Sequence, residues 1–243
     1  MAQTTYGQFC PVAMAAEILC TRWTVVLLRE LIAGSSRFND LRRGLPRMSP
    51  ALLSQRLKEL EASGIIHRLP SARDAGAFDY RLTEAGRELE PLVEAFGLWG
   101  HRWVDSELSL QRLDAQLLMW DMRRNLDPRP LPAQRTVVQF RYPELPADRR
   151  AWWLMIEPGE EIDLCSVDPG FDVDLYVSTD LRTMTAIWMG HDTVATAVDE
   201  DRLHLTGDRH LAANMHRWLG LSPFAKRGAE QPSGYDPAAS ARM

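Results

Sequence analysis

The sequence predicts a two-domain protein, with a mainly helical N-terminal half that ends in a β-hairpin and an α+β C-terminal half. Three observations predict this architecture. The chain has 243 residues, more than one average domain of about 100–150 residues. Apolar residues make up 45% of the chain and charged residues 25%, as in globular proteins. Prolines recur at every second position in Pro128–Pro132 and separate the two halves.

Composition excludes a disordered, collagen-like or coiled-coil protein. The apolar runs, such as Trp23–Leu28 with Thr24 among them, are far shorter than the about 18–20 residues that cross a bilayer, so no membrane partner is expected. The first residues lack a basic segment followed by an apolar one, so no secretion signal is expected. Three cysteines are too few for a disulfide framework and favour a reducing cytoplasm.

Charge is distributed unevenly along a chain whose net charge is −5. Between Thr21 and Arg87 there are 12 basic and 7 acidic residues, whereas between Asp105 and Met243 there are 15 basic and 22 acidic residues. The N-terminal part is therefore the part expected to meet a polyanion.

Three helices are predicted in the N-terminal half. Apolar residues recur every three or four positions over Ala15–Ala33 and predict one long helix. Ser36 is expected to cap a short second helix over Arg37–Arg43. Ser49, followed by proline, starts a third helix that runs to about Ala62.

The third helix has an apolar stripe and an opposite face that is small or polar. On a helical wheel Leu53, Leu57 and Leu60 share one stripe. Ala51, Gln55 and Lys58 lie opposite, and Ser54 lies between. A short helix, a tight turn and a helix with such a face form a helix-turn-helix. The solvated surface of an ordinary helical hairpin has the same pattern, so the wheel alone leaves both interpretations open.

A β-hairpin is predicted directly after the third helix. Ile65–Leu69 is β-prone, Pro70–Ala77 is a polar loop, and Phe78–Leu82 alternates apolar and polar residues. This order of elements is that of a winged helix-turn-helix, with the hairpin as the wing. Arg68, Arg73 and Arg81 give the wing a basic character that suits phosphates.

The sequence here resembles the HxlR family of bacterial transcription regulators over about residues 8–104. The segments that carry the resemblance are Cys10-Pro11-Val12, Arg22-Trp23-Thr24, Leu28-Arg29-Glu30-Leu31, Gly34, Arg37-Phe38-Asn39-Asp40-Leu41, Met48-Ser49-Pro50, Leu53-Ser54-Gln55-Arg56-Leu57-Lys58-Glu59-Leu60, Gly64-Ile65-Ile66 and Tyr80-Arg81-Leu82-Thr83-Glu84-Ala85-Gly86. Two departures are the Cys20-Thr21 pair, where the family commonly has glycine and a basic residue, and a wing without the proline-proline turn of many members.

The resemblance, together with the wheel, implies a DNA-binding surface. Ser54 and Gln55 are expected at base edges, and Arg56, Arg68 and Arg73 at phosphates. The full set of candidate DNA-binding residues is Arg37, Ser49, Ala51, Ser54, Gln55, Arg56, Lys58, Arg68 and Arg73.

A fourth helix is expected to start at Thr83 and to carry an apolar stripe. The resemblance implies that this helix and the first one form a homodimer interface, which suits a palindromic operator. A purely intramolecular core is the alternative. The candidate interface residues are Leu89, Val93, Phe96, Trp99 and Trp103.

Cysteine chemistry offers a separate switch. In some members of the resembled family a cysteine at the position of Cys10 senses oxidants or electrophiles, and a helix N-terminus assists such a thiolate. A small buried apolar residue is the alternative. Cys20 and Cys165 are expected in the core, and no cysteine or histidine spacing typical of a metal site occurs.

A helix is predicted over Ser106–Leu126, and the rest of the C-terminal half is predicted to form an α+β domain. The expected domains are residues 1–126, a proline-rich linker 127–133, a domain 134–224 and a flexible tail 225–243. Strands are predicted at Thr136–Tyr142, Ala151–Ile156, Ile162–Val167, Phe171–Val177 and Leu203–Leu205, and helices at Asp180–Met189, Thr193–Val198 and Arg209–Leu219.

This half resembles the sterol carrier protein two family of lipid-binding domains. The pattern that carries the resemblance is Val173-Asp174-Leu175-Tyr176-Val177, Asp180-Leu181 with Met184, Gly190, and Leu203-His204-Leu205-Thr206-Gly207-Asp208 with Leu211. It implies a five-stranded sheet and helices around an apolar cavity, although aromatic residues more often fill an ordinary core. The candidate pocket residues are Trp152, Trp153, Phe171, Met184, Trp188, Met189 and Trp218.

No enzyme motif is visible. The chain has no nucleophile elbow, phosphate-binding glycine loop or dinucleotide fingerprint, so no catalytic residue and no cofactor are expected. We therefore expect a cytoplasmic, homodimeric DNA-binding transcriptional regulator whose C-terminal domain binds an apolar small molecule or lipid. The alternative is a redox- or electrophile-sensing regulator that switches through Cys10, with a C-terminal half that serves only assembly or protein docking.

Overall fold

The structure, a computed structural model, describes residues 5–72, 74–104, 107 and 110–230. The chain forms two compact units that divide between Phe96 and Gly97. This division falls inside a helix, well before the expected boundary at residue 126. Each unit has its own hydrophobic core.

The first unit contains the helices and the hairpin that precede this division. Its elements are α1 (Pro11–Leu19), α2 (Thr24–Ile32), α3 (Phe38–Gly44), α4 (Pro50–Ala62), β1 (Ile66–Pro70), β2 (Phe78–Leu82), α5 (Glu84–Arg87) and the start of α6 (Glu90–Trp103). The two strands pair antiparallel, from Ile66 opposite Leu82 to Pro70 opposite Phe78. The predicted winged helix-turn-helix order, in which the hairpin directly follows α3 and α4, is thus confirmed.

The single long helix predicted over Ala15–Ala33 is wrong. The structure ends α1 at Leu19 and begins α2 at Thr24. Trp23 has φ of +79°, a left-handed conformation that no helix interior contains. The apolar spacing continues across the break because both helices pack on the same core. Cys20, expected in the core, caps the end of α1 and is exposed.

The start of the second helix also differs from the prediction. Arg37, rather than Ser36, is the N-cap residue of α3, and its side chain makes no capping bond. An antiparallel backbone bridge joins Arg37 to Asp79 of β2. The hairpin therefore fixes where α3 begins, which is a long-range effect that local capping patterns do not contain.

Beyond α6, the described part of the second unit contains six helices and the larger sheet. Its elements are α7 (Ala115–Asn125), β3 (Thr136–Arg141), β4 (Ala151–Ile156), β5 (Asp163–Cys165), β6 (Leu175–Thr179), α8 (Leu181–Trp188), α9 (Val194–Asp199), β7 (Leu203–Gly207), α10 (Arg209–Ala213), α11 (Met215–Trp218) and α12 (Pro223–Glu230). Among the described residues, the helix predicted over Ser106–Leu126 is interrupted at residues 111–114, directly before α7. The helix predicted over Arg209–Leu219 is split at Asn214.

The five strands form one sheet in the order β5-β4-β3-β6-β7. Only β3 and β6 pair in parallel, and the other neighbours are antiparallel. The predicted α+β class and the five strands are confirmed.

One face of this sheet carries the core of the second unit. Residues from α7, α8, α10 and α11 pack there against Val138, Phe140, Leu154 and Val177. The opposite face carries a small cluster of Val137, Trp153 and Met155. Successive residues of a strand point to opposite faces, which explains why neighbours such as Trp152 and Trp153 separate.

The proline-rich segment is part of the second unit. The backbone N–H of Asp127 donates to the carbonyl of Trp218, and Leu131 packs against the core. The segment is therefore packed into the second unit, and it is not the stiff linker between two domains that its composition predicts. The expected boundary fails because α7, which precedes it, is held by the same core through Met119 and Met122.

In the part of the chain that the structure describes, no single helix has the length and apolar character needed to cross a membrane. The bent pair α1 and α2 passes the same test only when both helices are taken together.

Candidate nucleic-acid interface

The interface is centred on α4, whose two faces differ sharply. Ser49 Oγ accepts a hydrogen bond from the backbone N–H of Leu52, and Pro50 occupies the first turn, which fixes the start of the helix. Leu53, Leu57 and Leu60 are fully buried on one stripe. The opposite side exposes Ala51, Gln55 and Lys58, whereas Ser54 is half-buried. The predicted orientation of this helix is confirmed.

A buried carboxylate positions α3 against α2. Glu30 is 0% exposed, and its carboxylate is 2.9 Å from Nη2 of Arg29 and accepts from the Ser35 hydroxyl at 3.2 Å. A β-carbon at Gly44, the last residue of α3, would overlap this carboxylate. The helix-turn-helix therefore depends on a glycine that lets α3 approach a buried, paired charge.

The exposed end of Gln55 is held by a neighbour on the same helix. Gln55 Nε2 donates to Glu59 Oε1 at 2.9 Å, and Arg56 Nη1 donates to Glu59 Oε2. Arg56 Nε also donates to the carbonyl of Arg22 at 3.2 Å. The side chain of Arg56 is only 13% exposed, so the structure places it as a bridge between α4 and the residues that precede α2.

The wing carries the basic residues that follow α4. The Arg68 guanidinium lies over the Phe78 ring, with Cζ 3.6 Å from the ring centroid, and Arg68 is exposed. Arg37 forms an ion pair with Asp74 at 3.0 Å and lies 4.0 Å from Asp79, so it ties the wing to α3. Arg73 lies outside the described residues.

The candidate dimer residues divide between the core and the surface. Val93 is buried and Leu89 packs on the core of the first unit. Phe96 and Trp99 are each 62% exposed, and Trp103 is 46% exposed. Leu92 is also exposed, and these four exposed residues, at spacings of four, three and four, form one stripe of α6, here called the α6 stripe.

The N-terminal segment places Cys10 beside exposed apolar residues. Cys10 is the N-cap residue of α1, half-buried and free. Phe9 is 97% exposed and Val12 75% exposed. Glu17 holds this segment by accepting from the Thr5 hydroxyl and the Tyr6 backbone N–H, each at 2.6 Å, and these bonds lower the pKa of Glu17.

The seven candidate pocket residues do not line one space. Trp152, Met184, Trp188 and Trp218 are buried in the core of the second unit, and Met189 packs against it. Trp153 is buried on the opposite face of the sheet, and its Nε1 has no hydrogen-bond partner. Phe171 is exposed, and the Arg135 guanidinium lies over its ring, with Cζ of Arg135 4.4 Å from the ring centroid.

Two histidines of the second unit lie together. The rings of His101 and His191 stack with centroids 5.6 Å apart and an interplanar angle of 16°. Burial, and secondarily the charge of His191, lowers the pKa of His101. Across the described residues, no group of three His, Cys, Asp or Glu side chains is placed to hold a metal ion.

Sequence reasoning missed two residues of this interface, Glu30 and Glu59. Glu30 lies within an apolar helix pattern, where a charged residue is rarely buried unless paired, and no local pattern identifies its partners. Glu59 could have been found, because it follows Gln55 at the i,i+4 spacing that brings helical side chains together.

Comparisons with known proteins agree with this geometry. Residues 18–108 match the family described as HxlR-like helix-turn-helix. The uncharacterized HTH-type transcriptional regulator YdeP of Bacillus subtilis is 38% identical over 96 residues, which are 40% of this chain and 75% of that protein. The corresponding regulator YvaP of the same organism is 34% identical over 100 residues, or 41% of this chain and 93% of that protein.

A solved structure of the redox regulator HypR in its reduced form is also similar. It is 36% identical in sequence and has a TM-score of 0.38, over 41% of this chain and 99% of HypR.

The relatives are named as transcriptional regulators and not as enzymes. The matched residues 18–108 contain α4 and the wing. The chain therefore belongs to the HxlR-like helix-turn-helix family of DNA-binding transcriptional regulators.

Proposed function

We propose that the protein is a homodimeric cytoplasmic regulator that binds a palindromic DNA operator, with α4 in the major groove and the wing on the phosphates. The observation that carries this proposal is the two-faced character of α4. Its leucine stripe is fully buried, whereas Ala51, Gln55 and Lys58 are exposed on the other side. A small, polar and cationic helix face of this kind fits the major groove.

The exposed residues divide into base-reading and phosphate-binding groups. Gln55 is the residue that reads bases, since its amide offers both a donor and an acceptor to a base edge. Ser54 and Ala51 lie beside it on α4. Lys58 and the wing residues Arg68 and Arg73 contact phosphates, which carry no sequence information. Ser49 and Arg37 contribute by fixing α4 and the wing. Arg56 serves mainly as the bridge to Arg22.

Dimerisation rests on the α6 stripe and the exposed residues around α1. Large apolar side chains that share one helix face indicate an interaction surface rather than scattered exposure. A two-fold dimer places two copies of α4 at neighbouring half-sites about one helical turn of DNA apart.

The DNA proposal is tested by binding-site selection from a randomised duplex pool, followed by fluorescence anisotropy at several salt concentrations. We expect the wild-type protein to select a palindrome. Gln55→Ala should relax base preference at one position of each half-site. Arg68→Ala should weaken binding to all sequences and reduce the salt slope by about 1.

The matched control is Glu61→Ala, an exposed change on the same helix. This control should select the wild-type palindrome. A Gln55→Ala variant that retains full base discrimination would contradict the placement of α4.

We also propose that the second unit binds an apolar molecule as effector. What supports this is the buried Nε1 of Trp153, which lacks an acceptor in a cluster with Val137 and Met155. Burial of an N–H group without a hydrogen-bond acceptor lowers the stability of the fold. A mainly apolar ligand that carries one acceptor atom could accept a hydrogen bond from Trp153 Nε1.

Oleic acid titrated into the full chain tests the effector proposal. We expect a higher melting temperature, altered tryptophan emission and a change of about tenfold in operator affinity. Trp153→Phe should remove the response, whereas Trp188→Phe should keep it, because Trp188 Nε1 already donates to Asp121 at 2.9 Å. An unchanged melting temperature and DNA affinity would reduce this unit to an assembly or protein-docking module.

The second candidate function is redox or electrophile sensing through Cys10. The observation that favours it is that Cys10 is a free, half-buried thiol at the N-cap of α1, next to the exposed Phe9. Treatment with diamide should then change operator affinity in the wild type and not in Cys10→Ser. A Cys20→Ser variant is the matched control, because Cys20 is exposed at the other end of α1.

A further inference from the structure

The carboxylate of Glu59 lies between the side chains of Gln55 and Arg56. Its Oε1 accepts from Gln55 Nε2 at 2.9 Å, and its Oε2 accepts from Arg56 Nη1. Both oxygens of one carboxylate are thus engaged by neighbours on α4, one of which is exposed on the face that meets DNA in the proposed function.

A carboxylate in this position determines the orientation of the Gln55 amide. The nitrogen and oxygen ends of a glutamine side chain have nearly the same shape, so a free glutamine can present either end. An ionised carboxylate only accepts hydrogen bonds. Glu59 therefore binds the nitrogen end of Gln55 and excludes the flipped amide.

Arg56 restrains Glu59 from the other side. The Arg56 guanidinium donates both to Glu59 and, through Nε, to the carbonyl of Arg22 at 3.2 Å. The side chain of Arg56 is 13% exposed and that of Glu59 48% exposed. The carboxylate is consequently tied to a side chain that is itself fixed to backbone, which makes it a more rigid support than an ordinary surface pair.

We propose that Glu59 is a specificity-determining residue that positions Gln55 for adenine. This inference rests on the proposed reading of DNA by α4. With one N–H bound to Glu59, Gln55 keeps its carbonyl oxygen and its second N–H for a base. Adenine offers a complementary N6 donor and N7 acceptor in the major groove, whereas guanine offers two acceptors.

The charge of Glu59 adds a second, sequence-independent effect. A carboxylate on the face that meets DNA repels phosphates of every sequence alike, so it weakens binding in general. Selectivity that is gained at the cost of affinity is a common property of specific interfaces. The two effects can be separated, because one depends on hydrogen bonding and the other on charge.

The experiment compares Glu59→Ala, Glu59→Gln and Glu59→Lys with the control Glu61→Ala. The DNA site is first selected from a randomised duplex pool by the wild-type protein. Anisotropy then gives the ratio of affinities for this site and for the same site with guanine in place of adenine at the position that Gln55 reads. Thermal unfolding of each full-length variant shows that it is folded.

Glu59→Ala should lower the adenine preference about tenfold and bind both sites more tightly. Glu59→Gln has one oxygen for two donors, Gln55 Nε2 and Arg56 Nη1. It should therefore retain only part of the preference while also binding more tightly. Glu59→Lys can only donate, so it should bind the carbonyl end of Gln55 and reduce or reverse the preference. Because the preference is a ratio, uniform attraction to phosphates cancels from it.

The outcomes distinguish this inference from the proposed function. If Gln55→Ala removes the adenine preference and both Glu59→Ala and Glu59→Lys retain it, the positioning role of Glu59 is wrong and the reading of DNA by α4 stands. If Gln55→Ala also leaves base preference unchanged, the proposed function of α4 itself fails. If Glu61→Ala lowers the preference as much as Glu59→Ala, the loss follows from any substitution on this part of α4, and the positioning role of Glu59 is wrong.

Discussion

Arg56 on α4 and Arg22, 34 residues earlier, are joined by a hydrogen bond from Nε to a backbone carbonyl at 3.2 Å. The acceptor belongs to the residue that precedes Trp23, whose φ is +79°. The residues between α1 and α2 are therefore stabilised by a side chain from the helix proposed to read DNA.

We expect Arg56→Ala to lower the free energy of unfolding by about 2 kcal/mol. A hydrogen bond to a charged donor contributes about 1.5–3 kcal/mol, and the replacement leaves the Arg22 carbonyl without this partner. Urea unfolding followed by circular dichroism measures the change. Lys58→Ala, an exposed change on the same helix, should stay within about 0.5 kcal/mol of the wild type. Equal stability of the two variants would show that the bridge contributes nothing.

Phe96→Ala and Trp99→Ala are expected to weaken a dimer while leaving the folded subunit intact. Both side chains are 62% exposed in the single chain, so their loss removes little intramolecular packing. At an interface, the loss of a large aromatic contact costs about 3 kcal/mol, or roughly two orders of magnitude in dissociation constant. Sedimentation velocity across a concentration series measures this constant.

Val167→Ala provides the control for that series, because Val167 is 75% exposed and belongs to a loop after β5 and not to α6. It should leave the dissociation constant unchanged. A wild-type protein that sediments as a monomer at micromolar concentration would contradict the role of the α6 stripe.

Two glycines of α6 should respond oppositely to alanine. A β-carbon at Gly100 meets no atom within 4 Å, whereas one at Gly97 would overlap the ring of Phe224. Gly100→Ala should therefore stabilise the protein by up to about 1 kcal/mol through helix propensity. Gly97→Ala should destabilise it by about 1–3 kcal/mol through overpacking, as measured by thermal unfolding.

The double variant Gly97→Ala with Phe224→Ala tests the cause of that difference. Removal of the ring should make the alanine at position 97 less costly, so the two changes should be non-additive by more than about 0.5 kcal/mol. Additive effects would place the cost of Gly97→Ala elsewhere.

Stability is expected to fall on mild acidification because of His101. Burial, and then the charge of His191, holds the pKa of His101 below its usual value of 6.5 in the folded protein. Unfolding therefore allows the imidazole to take up a proton. Its stabilising contribution is complete above about pH 6.5 and decreases as the pH falls towards the folded-state pKa.

His101→Gln should make the free energy of unfolding less dependent on pH between about pH 7.5 and about pH 5.5. Urea unfolding at a series of pH values measures this slope. His67→Gln is the control, since His67 is exposed on the wing, and it should leave the slope unchanged. An unaltered slope in His101→Gln would assign the acid sensitivity to other groups.

Local sequence patterns predicted α4 and the wing well. Ser49 and Pro50 define the start of α4, and the leucine spacing identifies its buried face, because capping and amphipathic periodicity act within a few residues. Phe78–Leu82 was predicted with its exact bounds from alternation alone. These elements contain most of the candidate site, so the orientation of Gln55 and Lys58 followed.

Features fixed by tertiary contacts were not predictable in the same way. The apolar spacing is consistent with one helix, but the left-handed backbone of Trp23 interrupts it. The hydrogen bond from Arg56 to the neighbouring Arg22 carbonyl comes from a distant segment of the chain. The prolines of Pro128–Pro132 correctly predict an irregular segment, but they do not predict that Leu131 packs against the core of the second unit. Neither fact is contained in the local pattern.

The candidate pocket illustrates an inference that the sequence did contain. Trp152 and Trp153 are consecutive in a predicted strand, and a period of two sends such neighbours to opposite faces. Trp152 accordingly packs in the core of the second unit with Phe140, and Trp153 packs on the opposite face of the sheet with Val137. The position of Phe171, outside any strand and exposed, depends on loop geometry that periodicity does not describe.

The parallel pairing of β3 with β6 has a consequence for synthesis on the ribosome. Val138 of β3 finds its partner Leu175 only after β4 and β5 have emerged, and Asp127 waits for Trp218. The first unit completes its core with residues up to Val93, so translation releases the DNA-reading part long before the sheet can close. A chain that terminates early, after β4, therefore carries a foldable DNA-reading part joined to an unpaired strand edge, and such edges promote aggregation.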